Sequence, residues 1–206
     1  MIGNLSKRLS PIRYGFLALI IVFVAVLSAC NESPAFSGSD ITAGDIGQGW
    51  VLTDADGRSV TNETFAGKVI VVFFGFTQCP DICPAALSEI HNALSLLGDQ
   101  AKDVQVLMVS VDPERDTPEI MQSYLKAFSD GLPAHFLGLT GNPEQLKQTA
   151  KAFRAFYAKV KSANGSYTMD HSAGFYLLDK AGKARVLLNS QAGPEAMAND
   201  IKLLLQ

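Results

Sequence analysis

The hydrophobic positions along the chain predict several strands that are covered on both faces of a sheet. Three runs are almost continuously apolar and rich in β-branched and aromatic residues, as buried strands are. These runs are 69–76, 104–111 and 173–178. Two hairpins are predicted beside them. One spans 50–60 with Gly57 at its turn, and in the other a turn at 179–182 leads into a strand at 184–188.

Apolar spacing and proline positions predict four helices between and after these strands. They run over 84–97, 118–129, 142–159 and 194–205. Pro84, Pro118 and Pro194 each suit the first position of a helix, where the missing N–H leaves no hydrogen bond unmade. A short strand is expected at 135–139, and a further strand begins near Tyr167.

This order of elements predicts an α/β fold over residues 50–206. Strands that alternate with helices and are followed by a hairpin and a last helix indicate a thioredoxin-like mixed sheet with flanking helices. The hairpin at 50–60 is an N-terminal addition to that sheet. Residues 31–49 are polar, small and rich in glycine, which predicts a flexible tether ahead of the domain.

The first 30 residues have the pattern of an export signal. Three basic residues precede 16 uncharged ones, from Tyr14 to Ala29, which is slightly short for a membrane span. The run ends in Leu27-Ser28-Ala29-Cys30, which resembles a bacterial lipobox with Cys30 as the lipidated residue. An uncleaved anchor helix is the alternative. In both cases the domain is held at the bacterial cell membrane and faces the periplasm or another extracytoplasmic side.

The balance of charge argues against nucleic acid as a partner. Three of the 17 basic residues lie in the first 29 residues, so 14 basic residues face 20 acidic ones in the rest, a net charge of −6. No basic cluster follows residue 13, whereas binding to phosphates needs a basic surface. Three cysteines are too few for a disulfide scaffold.

The residues with the clearest chemistry lie between the first buried strand and the helix after it. Cys79 and Cys83 each precede a proline, which disfavours helical backbone, so Cys79 is expected on the loop and Cys83 at or near the N-cap. The positive end of a helix stabilises a thiolate, which is both a nucleophile and a metal ligand. A structural disulfide or two inert thiols are the alternative, although α/β folds place their sites on such loops.

His171 is the histidine that the predicted fold brings towards this loop. It precedes the strand at 173–178, in a segment that lies against the cysteine loop and holds a proline in thioredoxins. Two thiolates and an imidazole suit copper, because soft sulfur selects Cu(I), whereas a structural zinc site is usually closed by a fourth ligand. Met169 is a candidate additional ligand and Asp170 a candidate orienting group. A purely structural histidine is the alternative, as is predicted for His91.

Four segments resemble the Sco/SenC family in their order and spacing: FGFTQCPDICP, VSVDPERDTPE, FLGLTG and DHSAGFYLLD. The resemblance spans about residues 50–206. It implies a membrane-anchored, thioredoxin-like copper chaperone that helps to metallate the CuA site of cytochrome c oxidase, with an oxidase subunit and other copper-delivery proteins as partners. By motif position, it implies that Cys79, Cys83 and His171 bind copper. The lipobox-like sequence departs from the family's commonest anchor, a transmembrane helix.

The sequence leaves two other functions open, although the resemblance implies a protein that is not an enzyme in the usual sense. A thiol–disulfide oxidoreductase would use Cys79 to attack and Cys83 to resolve, forming a disulfide on oxidation, and could act on the same oxidase cysteines. The CxxxC spacing and the missing proline count against it. A thiol peroxidase is the third hypothesis, but Thr77 lies two residues before Cys79 rather than three.

Overall fold

The computed structural model describes residues 35–162 and 165–206. Its helices α1 to α4 are Ile82–Leu97, Pro118–Ser129, Pro143–Phe153 and Pro194–Leu205. Its strands β1 to β10 are Ser39–Asp40, Leu52–Thr53, Ser59–Val60, Val69–Gly75, Val104–Ser110, His135–Leu139, Tyr157–Lys161, Tyr167–His171, Phe175–Leu178 and Ala184–Leu188. Two 3-10 helices lie at Asn62–Phe65 and Gly98–Asp103.

A six-stranded mixed sheet forms the centre of the domain, in the order β1-β10-β9-β4-β5-β6. β4, β5 and β6 are parallel, whereas β9 runs antiparallel to both β4 and β10. Every residue of β4 and β5 is buried, so these strands are covered on both faces. The predicted thioredoxin-like sheet is therefore confirmed, as is the hairpin of β2 and β3.

The register of the two central strands decides where the chemistry lies. Val69 pairs with Val104 and Gly75 with Ser110, so β4 and β5 end at the same edge of the sheet. The loop that carries the cysteines follows β4, and the loop over 111–117 follows β5. The two loops therefore emerge side by side, at the edge where open α/β sheets bind their ligands.

The predicted helix over 142–159 is wrong in its last third. α3 ends at Phe153, Arg154 takes a left-handed conformation, and the chain then enters β7. β7 pairs antiparallel with β8 in a separate two-stranded sheet, with Tyr157 opposite His171. Pairing with β8 outweighs the helix propensity of this segment, which is a weak determinant next to tertiary contacts. The dipeptide Asn164-Gly165 is the hairpin signal that the helical interpretation overlooked.

Part of the predicted tether packs into the domain. β1 extends the sheet beside β10, and Ile46 is buried in the core. The fully buried carboxyl group of Asp200, on α4, accepts hydrogen bonds from the N–H groups of Ser37 and Gly38 at 2.7 and 2.9 Å. The ordered domain therefore begins before residue 50.

The predicted export signal at 1–30, with Cys30, lies outside the described residues. Within the ranges that the structure does describe, none of the helices is both long enough and apolar enough to span a membrane.

Replacing Asp200 with alanine should destabilise the domain by about 1–3 kcal/mol, because two backbone N–H groups lose their acceptor. Urea unfolding measures this loss. Lys202→Ala, an exposed change on the same helix, serves as the control and should stay within about 0.5 kcal/mol of the wild type. Equal stability of the two variants would show that the contact with α4 does not hold the 37–38 segment.

Candidate metal centre

The cysteine loop joins β4 to α1 in only six residues. α1 begins at Ile82 with Asp81 as its N-cap, so Cys83 lies inside the first turn rather than at the N-cap, and Pro84 is the third helical residue rather than the first. The first four N–H groups of a helix have no partner within it, which lets a proline occupy any of these positions. Cys83 therefore lies near the N-cap, as predicted, but α1 begins about two residues earlier than expected.

Because Cys83 lies in the first turn of α1, its backbone is close to the sulfur of Cys79. The N–H of Cys83 donates to Cys79 Sγ at 3.4 Å, so one of the free N–H groups at the positive end of α1 has a sulfur acceptor. Both thiols are free. Cys79 is half-buried at the surface, whereas Cys83 is 0% exposed.

Burial makes Cys83 a poor acid in the absence of a metal. Loss of hydration raises the pKa of the Cys83 thiol well above its usual value, and this outweighs a backbone hydrogen bond with Phe76 that acts in the opposite direction. The sequence indicates a thiolate stabilised by the helix end, but at Cys83 the cost of burying a charge is the larger effect. Cys83 therefore keeps its proton at neutral pH until a ligand displaces it.

His171 ends β8, and its ring is held with a defined tautomer. Its Nδ1 lies 3.0 Å from the carbonyl oxygen of Ser172, which can only accept, so Nδ1 carries the proton. The lone pair of the neutral ring is then on Nε2, 3.5 Å from Cys83 Sγ. The rings of Phe73 and Phe76 meet the imidazole edge to face, with centroids at 6.3 and 5.8 Å.

The structure brings together the three side chains that the sequence singles out. Cys79 Sγ, Cys83 Sγ and a ring nitrogen of His171 all lie within 4.8 Å of one another. They come from a loop, a helix and a strand that are up to 92 residues apart in the chain, so only the fold makes them neighbours. Two sulfur donors and one imidazole nitrogen at this separation can share a single soft metal ion.

Comparison with known proteins identifies the family. A family model described as SCO1/SenC matches residues 39–206. The chain belongs to the SCO1/SenC family. An SCO2-like protein of Rickettsia prowazekii is 39% identical over 140 residues, which are 67% of this chain and 66% of that relative. The match thus covers about two thirds of the length of that relative.

Solved structures of Sco proteins have the same fold. ScoI of Bradyrhizobium japonicum, with copper bound, has a TM-score of 0.68 and 40% identity, covering 78% of this chain and 99% of its own. A SCO1/SenC family lipoprotein from Bacillus anthracis has a TM-score of 0.65, 27% identity and coverage of 76% and 93%. BsSco is described as having a disulfide switch and as a member of the Sco family of cytochrome c oxidase assembly proteins. It has a TM-score of 0.57 and 27% identity, and the match covers 78% of this chain and 94% of its own.

A buried carboxyl group holds the cysteine loop of this SCO1/SenC protein in place. Asp116, 1% exposed, accepts hydrogen bonds from the Thr77 hydroxyl at 2.6 Å, the Thr77 N–H at 3.1 Å and the Ser110 hydroxyl at 2.6 Å. From the sequence alone, the simplest interpretation of the charges at 112–117 is a solvated turn with internal ion pairs. The ion pair of Arg115 with Asp112 is present, but both aspartates are buried. The shared edge of β4 and β5 is the signal that could have revealed this role.

A stack around Arg115 ties the hairpin that carries His171 to the rest of the site. The guanidinium of Arg115 pairs with the buried carboxylate of Asp112, and it lies 3.9 Å from the ring centroid of Tyr167 and 5.9 Å from that of Phe76. Arg115 also donates to the Tyr167 carbonyl at 3.1 Å, and the Tyr167 hydroxyl donates to Asp112 at 2.9 Å. Since Tyr167 begins β8 and His171 ends it, these contacts help to position the imidazole.

Close packing leaves no space for a side chain at the end of β4. A Cβ on Gly75 would lie 2.6 Å from the Phe73 ring and 3.2 Å from Cys83 Sγ. Because both neighbours are buried, they have little freedom to move away. Glycine at this position therefore allows Cys83 to sit against the sheet.

Three further residues that the sequence analysis considered, Met169, Asp170 and His91, are not part of the Cys79–Cys83–His171 cluster. Met169 packs against the core and lines a small cavity with Val111 and Tyr157, so its side chain takes part in packing. Asp170 is exposed, and the Ser172 carbonyl holds the His171 ring instead. His91 donates from Nδ1 to the Phe128 carbonyl at 2.9 Å, which makes it a link between α1 and α2. The expectation of a structural role for His91 is confirmed.

Alkylation should distinguish the two thiols in the reduced, metal-free chain. At pH 8 we expect iodoacetamide to modify Cys79 at least about tenfold faster than Cys83, because Cys83 is inaccessible and protonated. The rate at Cys83 should stay low as the pH passes about 8.5, the ordinary pKa of a thiol. Peptide mass mapping measures both rates, and in urea they should become similar. Equal rates in the folded chain would contradict the burial of Cys83.

Proposed function

We propose that this SCO1/SenC protein is a copper chaperone that binds one copper ion through Cys79, Cys83 and His171. The observation that carries the proposal is the convergence of two sulfurs and one imidazole nitrogen within 4.8 Å. The copper-bound ScoI of Bradyrhizobium japonicum supports copper as the cargo. Thiolate and imidazole are also the donors that copper prefers among side chains.

The site is suited to loading and release rather than to permanent retention of the ion. Cys79 and His171 are half-buried, so a partner's ligands can approach copper from their side, while Cys83 forms the buried side of the site. The Ser172 carbonyl keeps the proton of His171 on Nδ1, which leaves Nε2 free to bind without tautomer exchange. Copper therefore enters a site whose imidazole is already oriented.

Loading requires a proton to leave Cys83. Because burial raises the pKa of this thiol, the Sγ proton is still present at neutral pH and must be released when copper binds. Copper affinity should therefore increase with pH. Oxidation of the two thiols to a disulfide removes both sulfur ligands, so only the reduced protein binds copper.

The proposed target is the subunit of cytochrome c oxidase that carries the CuA site, and other copper-delivery proteins are proposed as further partners. The description of BsSco as a member of a family of cytochrome c oxidase assembly proteins supports this target. We further propose that Cys30 is lipidated and holds the domain at the bacterial cell membrane, on its extracytoplasmic side. The lipobox-like sequence and the Bacillus anthracis lipoprotein support this location.

Copper titration of the reduced protein tests the ligand set. The wild type should bind about one equivalent, and His171→Ala should weaken binding by about 10- to 100-fold because one of three donors is lost. His135→Ala is the matched control, since His135 is an exposed histidine at the start of β6, and it should bind as the wild type does. Equal affinity of His171→Ala and the wild type would remove the case for a three-ligand site.

A thiol–disulfide oxidoreductase is the second candidate function, and the proximity of the two free sulfurs favours it. Their Sγ atoms lie within 4.8 Å, close enough for a disulfide to form after a small shift. The disulfide switch described for BsSco supports reversible pairing. The burial of Cys83 argues against catalysis, because a buried, protonated thiol is slow to resolve a mixed disulfide.

Insulin reduction separates the two functions. We expect the wild type to reduce insulin within about twofold of the uncatalysed rate, because Cys83 provides little thiolate for turnover. A catalyst would instead show a rate far above background that is lost in Cys79→Ser and unchanged in His171→Ala. That result would favour the oxidoreductase over the chaperone.

A further inference from the structure

A cavity of about 550 Å³ lies beside the segment that carries His171, outside the metal centre. Its polar lining comes from Ser37, Ser39, Arg154, Ser172, Asn189 and Ser190. In the described parts of the chain, no carboxylate side chain lines it and Arg154 is its sole charged group. The cavity has the size of a pocket for a small ligand, and its chemistry is that of an anion site.

Arg154 occupies a position at which glycine is favoured. It follows the last residue of α3 with φ of 52°, and among the described residues it is the one non-glycine residue with positive φ. This left-handed conformation at a helix end costs an arginine more than a glycine. A residue in such a conformation that also lines a cavity is a candidate for a role at that cavity.

The guanidinium of Arg154 has no partner of its own. The structure gives it no ion pair or side-chain hydrogen bond within the described ranges, whereas Arg58, Arg115 and Arg185 are each paired with an aspartate. The residue is exposed, so the charge is available to a ligand. A guanidinium matches a carboxylate through two parallel hydrogen bonds.

We propose that this cavity binds a carboxylate, which pairs with the guanidinium of Arg154 and accepts hydrogen bonds from the hydroxyl and amide groups around it. The carboxylate can belong to a small free acid or to an acidic side chain of a docked protein. The inference does not depend on copper binding, because none of the three proposed copper ligands lines the cavity.

The proposed site shares a wall with the metal centre. Ser172 lines the cavity, and its carbonyl accepts the Nδ1 proton of His171. The N–H and hydroxyl of Ser172 are hydrogen-bonded to the backbone of Phe156, two residues after Arg154. A carboxylate in the cavity therefore contacts the residue that orients the imidazole.

NMR titration of the full-length, reduced and metal-free chain tests the proposal. The probes are succinate, a free acid, and the peptide acetyl-Gly-Glu-Gly-amide, whose single carboxylate is a side chain. We expect saturable shifts of the Arg154 Nε–H and of the amides of residues 172–174 with one or both probes. Succinate alone would identify a free acid as the ligand, and the peptide alone an acidic side chain. No saturable shift with either would overturn the proposal.

Arg154→Gly separates binding from folding. It should weaken carboxylate binding by about 10- to 100-fold, the effect of losing charged hydrogen bonds, and raise Tm by about 2–4 °C, because glycine suits the left-handed conformation. Arg154→Lys should retain part of the affinity. Lys151→Gln removes an exposed charge from the same helix and should leave binding unchanged. Equal weakening in Arg154→Gly and Lys151→Gln would reduce the effect to general electrostatics and overturn the assigned site.

Discussion

The hydrogen bonds accepted by the carboxyl group of Asp116 are the constraint on which the metal centre depends. They join the end of β5 to the first residues of the cysteine loop, across the edge where two parallel strands finish together. A buried carboxylate is costly unless it is fully hydrogen-bonded. Movement of the loop would remove the hydrogen bonds from Thr77 to this buried group, so these contacts favour the observed positions of Cys79 and Cys83.

The position of the third donor, the imidazole of His171, depends on a different set of contacts. His171 lies on a two-stranded sheet that is separate from the main sheet, so the main ladder of backbone hydrogen bonds does not fix it. Instead, Arg115 stacks between Tyr167 and Phe76 and pairs with Asp112, while Ser172 orients the ring. The sulfur side of the site is thus fixed by buried hydrogen bonds, and the histidine side by the contacts of Arg115 and by the Ser172 carbonyl.

Burial gives the two sulfurs different roles although they share one motif. Cys83, packed between Gly75 and the imidazole, keeps its proton and is shielded from solvent, while Cys79 lies closer to the surface. Together these properties suit a protein that exchanges a metal at its exposed side. They are less suited to repeated turnover of disulfides, which needs a reactive thiolate at both positions.

The order of strands and helices, the mixed sheet, the cysteine loop and the choice of His171 could all be predicted from the sequence. Apolar periodicity, prolines and motif spacing are local signals, and the domain follows them almost throughout. The β7–β8 hairpin had a local signal in Asn164-Gly165. The burial of Asp112 and Asp116, the raised pKa of Cys83 and the position of Arg154 beside a cavity were decided only in three dimensions. Each of these arises from contacts between segments distant in sequence, and local patterns carry no information about solvent exclusion or about which loops meet.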